Sequence, residues 1–249
     1  MTDSSAATLP GSAATAPDGR LAVVLGASGA IGAAVAAGLA EAGWTVVTHH
    51  RSTAPPPGCG VAAVQADLTD WASTRALAGE VVDRFGPPDL LVNCAGRRDD
   101  GLLIAQSPER WTAVLHDNVA MAYHPLRAFL PAMVRRRAGA LVQVSSVAGL
   151  VASPGQSAYA AAKAAVIALV RTLAVEYGSR GIRFNALAPG FVETPMTADV
   201  PTHVRAAIED RQALPGSVPL TDLTRTVLLL ADTPTITGQV LRVDLGLGL

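Results

Sequence analysis

Apolar residues along this chain fall into short continuous runs separated by longer stretches with helical spacing, and that alternation predicts its architecture. Leu21 to Leu25 is unbroken apolar sequence, as expected for a strand buried on both faces. An Ala-rich helix follows to about Ala42, and Trp44 to His50 reads as a second strand. Val61 to Ala66 predicts a third, and a helix then runs to about Phe85, stopped by Gly86-Pro87-Pro88. Asp89 to Val92, Ala140 to Ser145, Ile182 to Leu187 and Val240 to Val243 predict the remaining strands. Helical sequence fills about Pro108 to Arg137, with bends expected at Pro125 and Pro131, where a backbone donor is missing. A second long helix, Ala158 to Tyr177, contains neither Pro nor Gly. Strands alternating with helices predict an α/β fold: one doubly wound parallel sheet of about seven strands with helices on both faces. Residues 19–249 make that single domain, and the Ser-, Ala-, Thr- and Pro-rich residues 1–18 read as a disordered tail.

Composition narrows the function classes. A length of 249 suits one such domain, and a chain 50% hydrophobic but 4% aromatic builds its core from Ala, Val and Leu. A formal net charge of −1 gives no case for nucleic acid or an acidic membrane surface. Leu21 to Val47 is long and apolar, yet its glycines, Glu41 and the Ala42-Gly43 turn divide it, so no membrane span is expected. Cys59 and Cys94 cannot make a disulfide framework, and the five histidines show no zinc spacing. The expectation is a cytoplasmic protein without a metal site.

Two stretches carry chemistry. The first is Gly26-Ala27-Ser28-Gly29-Ala30-Ile31-Gly32, which joins a buried strand to a helix start. Strand, glycine turn and helix N-terminus together make a pyrophosphate site, because the backbone can approach closely and its N–H groups face the charge. The second strand then ends His49-His50-Arg51-Ser52, with no acidic residue between Glu41 and Asp67 to hold a ribose 2′-hydroxyl. Arg51 and Ser52 suit a 2′-phosphate, which points to NADPH/NADP+; the plainer reading of Arg51 is an exposed loop arginine.

The second stretch is Tyr159-Ala160-Ala161-Ala162-Lys163. Lys163 is the only lysine in the chain, every other strong base being arginine. Tyr159 and Lys163 share one face of a helix. An ammonium about 4 Å from a phenol, at an effective dielectric near 20, favours phenolate by about 4 kcal/mol, or roughly three pKa units. A general acid tuned toward neutrality is what proton transfer needs. The bland alternative is an i,i+4 surface pair.

Beyond these, Asp67, Asn93-Cys94-Ala95-Gly96, Asn118, Ser146 and Pro189-Gly190 fall in the order and spacing of the short-chain dehydrogenase/reductase family, which the chain resembles from about Leu21 to Leu249. Arg98-Asp99 before Leu102-Leu103, Asn185 to Thr194 and Thr237-Gly238-Gln239 resemble the 3-oxoacyl-[acyl-carrier-protein] reductases within it. The resemblance implies a Rossmann-like fold and an NADP-dependent ketoreductase acting on a β-ketoacyl thioester held by an acyl carrier protein, in fatty-acid or polyketide biosynthesis. It implies a catalytic set of Ser146, Tyr159, Lys163 and Asn118, the last holding a water that links Lys163 to solvent. It implies cofactor contacts from Gly26, Ser28, Gly29, Ala30, Ile31, Gly32, Arg51, Ser52, Asp67, Leu68, Asn93, Ala95 and Gly96. Tyr159, Lys163, Pro189, Gly190, Val192 and Thr194 complete that set. Met196 to about Leu214 is then a substrate lid, and the family commonly forms homotetramers.

Arg135-Arg136-Arg137 is the one dense basic cluster. It reads either as a helix C-terminus dressed against its dipole or, with Arg137 and Arg180 matching the reductases' positions, as a carrier-protein anchor. Three residues depart from the pattern: Ala30 stands for a glycine, Cys94 for a second Asn, and Asp244-Leu245-Gly246 for Asp-Gly-Gly. The rival functions are a dehydrogenase of a free alcohol, sugar or steroid, and a catalytically idle cofactor sensor or scaffold.

Overall fold

A computed structural model describes residues 19–248; the expected N-terminal tail lies outside the described residues. Its elements run β1 (Leu21–Leu25), α1 (Ala30–Glu41), β2 (Thr45–His50), β3 (Ala62–Gln65), α2 (Trp71–Phe85), β4 (Leu90–Asn93) and α3 (Pro108–Arg136). They continue through β5 (Gly139–Val144), α4 (Ser157–Tyr177), β6 (Ile182–Pro189), α5 (Thr202–Glu209), α6 (Leu220–Asp232) and β7 (Val240–Val243). All seven strands pair in parallel, in the order β3-β2-β1-β4-β5-β6-β7. From β1 the chain winds outward through β2 and β3, then returns to the other side of β1 at β4. The β1/β4 boundary is therefore the topological switch point, where such sheets open a crevice at the strands' carboxyl ends.

Successive side chains of a strand point to opposite faces, and β1 shows why both must be apolar. Leu21, Val23 and Leu25 join one core with Leu77 and Val81 of α2, Phe129 and Met133 of α3, and Ile167 and Val170 of α4. Ala22 and Val24 join the other core, with Val35 and Leu39 of α1 and Leu223, Val227 and Leu230 of α6. The doubly wound sheet inferred from the sequence is thus the fold observed.

Helix ends follow their local chemistry. The Asp70 carboxylate accepts from Ser73 N at the start of α2, and Ser107 caps α3 with Pro108 as its first residue. Helix α3 continues as one element through both Pro125 and Pro131. It ends at Arg137, held in the left-handed region at φ 58°. Its neighbour Arg136 donates to the carbonyls of Pro87 and Pro88 at 2.8 Å each and pairs with Asp89, so that arginine fastens α3 to β4. Helix α4 is apolar and long enough by composition to cross a membrane; here its buried residues pack on β6 and α3.

Candidate active site

Tight backbone packing shapes the turn after β1. Gly26 takes φ +73°, and a Cβ there would lie 2.8 Å from Ala95 N. A Cβ on Gly32 would lie 2.3 Å from Gly26 O, so the first turn of α1 rests directly on the loop. Gly29, by contrast, has only Gly26 O nearby, at 3.5 Å. Helix α1 has no side-chain cap and no acidic residue in its first turn, leaving its leading N–H groups free to face a ligand. Those free donors and the bare glycine surface fit a pyrophosphate.

The turn forms one wall of a cleft of about 670 Å³. Gly26, Ser28, Gly29, Ala30, Ile31 and Gly32 line it together with Gly96, Ser146, Tyr159, Lys163, Pro189, Gly190, Val192 and Thr194. Ala30 lines the same wall as the glycines around it. Asn93 and Ala95 lie just behind the wall. Asn93 donates to Met121 O at 2.7 Å and accepts from Ala95 N at 3.0 Å, fixing the end of β4 against α3.

The two cleft-lining serines that follow β5 have different fates. The buried Ser145 hydroxyl donates to the Lys163 carbonyl at 2.9 Å. Ser146 Oγ accepts from Ala148 N at 3.1 Å, and its hydroxyl lines the cleft within reach of the Tyr159 phenol. Gly149 presses on α4 so closely that a Cβ would sit 2.8 Å from the Lys163 carbonyl carbon. Lys163 is buried, and its Nζ donates to Val144 O at 3.0 Å. The ammonium lies 5.5 Å from the centre of the Tyr159 ring.

This geometry corrects the electrostatic expectation. Burial pushes the Tyr159 phenol up to about 12, opposed by the neighbouring Ser146 hydroxyl. Burial pushes Lys163 down to about 8, with no carboxylate paired to it among the described residues. The i,i+4 argument counted attraction and omitted desolvation, which disfavours the charged form of both groups and here outweighs it. Tyr159 is therefore held as a neutral acid. Burial also raises Cys94, beside Lys163, to about 12, so it remains a thiol.

Asn118 lies behind the cleft, buried in α3. Its amide nitrogen donates to Arg97 O and Val114 O, both at 2.8 Å, and its oxygen accepts from Arg97 N at 3.2 Å. Both amide protons are committed, so a water relay at this residue is left to oxygen atoms. A Cβ on Gly96 would meet Asn118 Oδ1 and Lys163 Nζ at 3.2 Å each, placing the two side chains around one glycine.

The remaining expected residues divide by place. Arg51 and Ser52 are exposed beyond β2, and Leu68 is buried beyond β3. The Asp67 carboxylate accepts from Thr69 N at 2.8 Å and from its hydroxyl at 2.7 Å, which holds it below the usual carboxylate range. Arg137 and Arg180 stand elsewhere. They precede β5 and β6, at the amino ends of the strands, with Arg137 donating to Ser179 O at 3.0 Å. Tyr159 and Tyr177 are separated by about 27 Å of helix at 1.5 Å per residue, so these arginines are remote from their own chain's cleft.

Sequence reading missed a charged rail on the substrate side. Arg98 pairs with Asp199 and, at 3.2 Å, with Asp100, which accepts from Gln156 Nε2 at 3.0 Å. All four line the cleft. Arg98 and Asp199 are 101 residues apart, so no local spacing joins them. Met196, Val204 and Ile208, in the 195–209 segment, supply an apolar counterpart.

A dinucleotide-type crevice facing a hydroxyl, a phenol and an amine defines the class of a nucleotide-dependent oxidoreductase. The chain belongs to the short-chain dehydrogenase family, whose model matches residues 20–205. It is 35% identical over 238 residues to the 3-oxoacyl-[acyl-carrier-protein] reductase FabG of Staphylococcus aureus, covering 91% of this chain and 97% of that one. A gluconate 5-dehydrogenase from Burkholderia cenocepacia, solved with NADP and tartrate, superposes with a TM-score of 0.84 at 28% identity, covering 92% and 94%. A structure named ribose-5-phosphate isomerase from Brucella melitensis superposes equally well, at 34% identity, covering 92% and 91%.

Proposed function

We propose that this protein reduces a β-ketoacyl thioester, carried on an acyl carrier protein, to the β-hydroxyacyl form with NADPH. The observation that carries the reading is that Ser146, Tyr159 and Lys163 line one cleft with the glycine turn. The match to the reductase of Staphylococcus aureus along nearly the whole chain supports this substrate class.

NADPH fits the free N–H groups of α1 and the glycine wall, with Arg51 and Ser52 beyond β2 for its 2′-phosphate and Asp67-Leu68 on the adenine side. When bound, it supplies the hydride that reduces the ketone carbon. Ser146 donates its hydroxyl proton to the ketone oxygen and holds it toward Tyr159. Tyr159, protonated at neutral pH, gives its proton to the developing alkoxide. Lys163 then favours the phenolate just formed, since its charge gains a partner only at that moment. Protons return through Lys163 and oxygen atoms at Asn118. Pro189, Gly190, Val192 and Thr194 hold the nicotinamide side of the cleft, and residues 195–214 close over the acyl chain as a lid, excluding water.

Arg137 and Arg180 would contact the carrier protein. Because they lie at the far end of α4, they would serve the cleft of a second copy whose α4 runs antiparallel, which a homotetramer supplies. A second reading has its own observation: the Arg98–Asp100–Gln156 rail is polar, and it favours a free hydroxy acid or sugar such as the gluconate dehydrogenase's name describes. Purified protein given NADPH with acetoacetyl carrier protein, acetoacetyl thioester or a free keto-sugar acid separates the two. Carrier-bound substrate is expected to turn over fastest; turnover of the free keto acid alone would replace the first reading with the second.

A further inference from the structure

His49, near the end of β2, joins the two halves of the nucleotide site. Its ring is 3% exposed. Nδ1 faces Gly26 N at 3.1 Å, and Nε2 faces Ala66 O at 3.0 Å. Both partners are backbone groups with fixed roles: the Gly26 N–H can only donate, and the Ala66 carbonyl can only accept. The ring is therefore neutral, with its proton on Nε2. The main chain adds a second tie, since Ala27 N donates to the His49 carbonyl at 2.9 Å. One residue thus secures the first glycine of the pyrophosphate turn and the residue preceding Asp67.

We propose that His49 is a positioning residue that holds the glycine turn in its binding form only while neutral, so that protonating it weakens dinucleotide binding. An imidazolium would aim a second N–H at the Gly26 N–H, and donor facing donor must separate. The turn has little room to yield, because Gly26 is wedged against Ala95 and under Gly32. The groups whose charge reaches the ring are His50 on β2, which opposes protonation, and Asp67 after β3, which favours it. Asp67 in turn faces Arg51. At this contact the β1 turn presents the Gly26 backbone N–H. Burial is the dominant influence and holds His49 below its ordinary value of 6.5, so the ring is neutral at pH 7.

The inference rests on the dinucleotide reading of the cleft, and the test separates the two. NADP+ binding is titrated calorimetrically from pH 8 to pH 4.5 for the wild type and His49→Asn, whose amide oxygen can replace Nδ1 as an untitratable acceptor. The cofactor's own 2′-phosphate titrates alike in both. The wild-type Kd should rise relative to the variant by up to about tenfold per pH unit below the His49 pKa, one proton being released on binding. Superimposable profiles would overturn the role of His49, whereas no NADP+ binding at pH 8 would overturn the dinucleotide reading itself. Should His49→Asn not fold, two-bond ¹H–¹⁵N correlations on the wild type decide instead. An Nε2–H tautomer whose pKa drops further with NADP+ supports the proposal; an Nδ1–H tautomer, or a pKa that NADP+ leaves unmoved, contradicts it.

Discussion

The Ser145 hydroxyl donates to the carbonyl of Lys163, binding the end of β5 to α4 and leaving the next serine to face the cleft. The two serines should therefore fail differently. Ser145→Ala removes one buried hydrogen bond, although the Lys163 carbonyl keeps its helical partner within α4, and should cost about 1 kcal/mol in denaturant melts, with kcat reduced only modestly. Ser146→Ala leaves the Ala148 N–H without its cap, should cost about 1 kcal/mol in the melt, and should lower kcat roughly 100-fold. Equal losses of activity at equal stability would contradict this division.

The glycine turn makes a steric prediction. Gly32→Ala puts a methyl 2.3 Å from Gly26 O, while Gly29→Ala meets only ordinary contact at 3.5 Å. Measured by NADP+ titration and thermal melts, Gly32→Ala should abolish binding and destabilise the fold by about 1–3 kcal/mol. Gly29→Ala should fold as the wild type does, whatever its affinity.

Lys163 ties stability to pH with a definite sign. Its folded pKa, about 8, is below the ordinary 10.5, so between those values the unfolded chain binds the extra proton. Stability should then rise with pH from about 8, and Lys163→Met should stabilise the protein at pH 7 by roughly 3 kcal/mol at most. Tyr159 acts in the opposite direction. Raised from 10 to about 12, it stabilises the fold below pH 10 and loses that contribution as pH climbs toward 12. Denaturant melts from pH 7 to 9 isolate the lysine, since above 9 the raised Cys94 thiol pulls the other way; a wild type whose stability is flat from 8 to 9 would contradict its burial as a cation.

Cofactor choice should reside beyond β2. Arg51→Ala is expected to weaken NADPH binding about 10- to 100-fold and leave NADH binding unchanged, the loss of one charge-assisted phosphate contact. Fluorescence titration with both dinucleotides checks this. Equal losses for both would place the 2′-phosphate elsewhere.

The sheet was readable from sequence because every central strand is buried on two faces, which forces runs such as Leu21 to Leu25, and because glycines punctuate their carboxyl ends. The cleft wall from Gly26 to Gly32 and the Tyr159–Lys163 face were readable for the same local reason, being turn and helix chemistry. What was misread depended on distance or solvent. The phenol's acidity followed from burial, which i,i+4 spacing does not contain. The Arg98–Asp199 pair and the His49 bridge to Gly26 join segments that only the folded chain brings together. That Arg137 and Arg180 come together at the amino ends of β5 and β6 is likewise given by the topology alone.

The central claim is that Tyr159 is the proton donor in a cleft that binds NADPH independently of it. Tyr159→Phe, assayed for NADPH binding by fluorescence and for single-turnover reduction of acetoacetyl carrier protein, tests it most directly. The account predicts a Kd within about threefold of the wild type and a reduction rate lower by roughly 1,000-fold or more, in line with losing a positioned general acid. Reduction at near wild-type rate by that variant would contradict it.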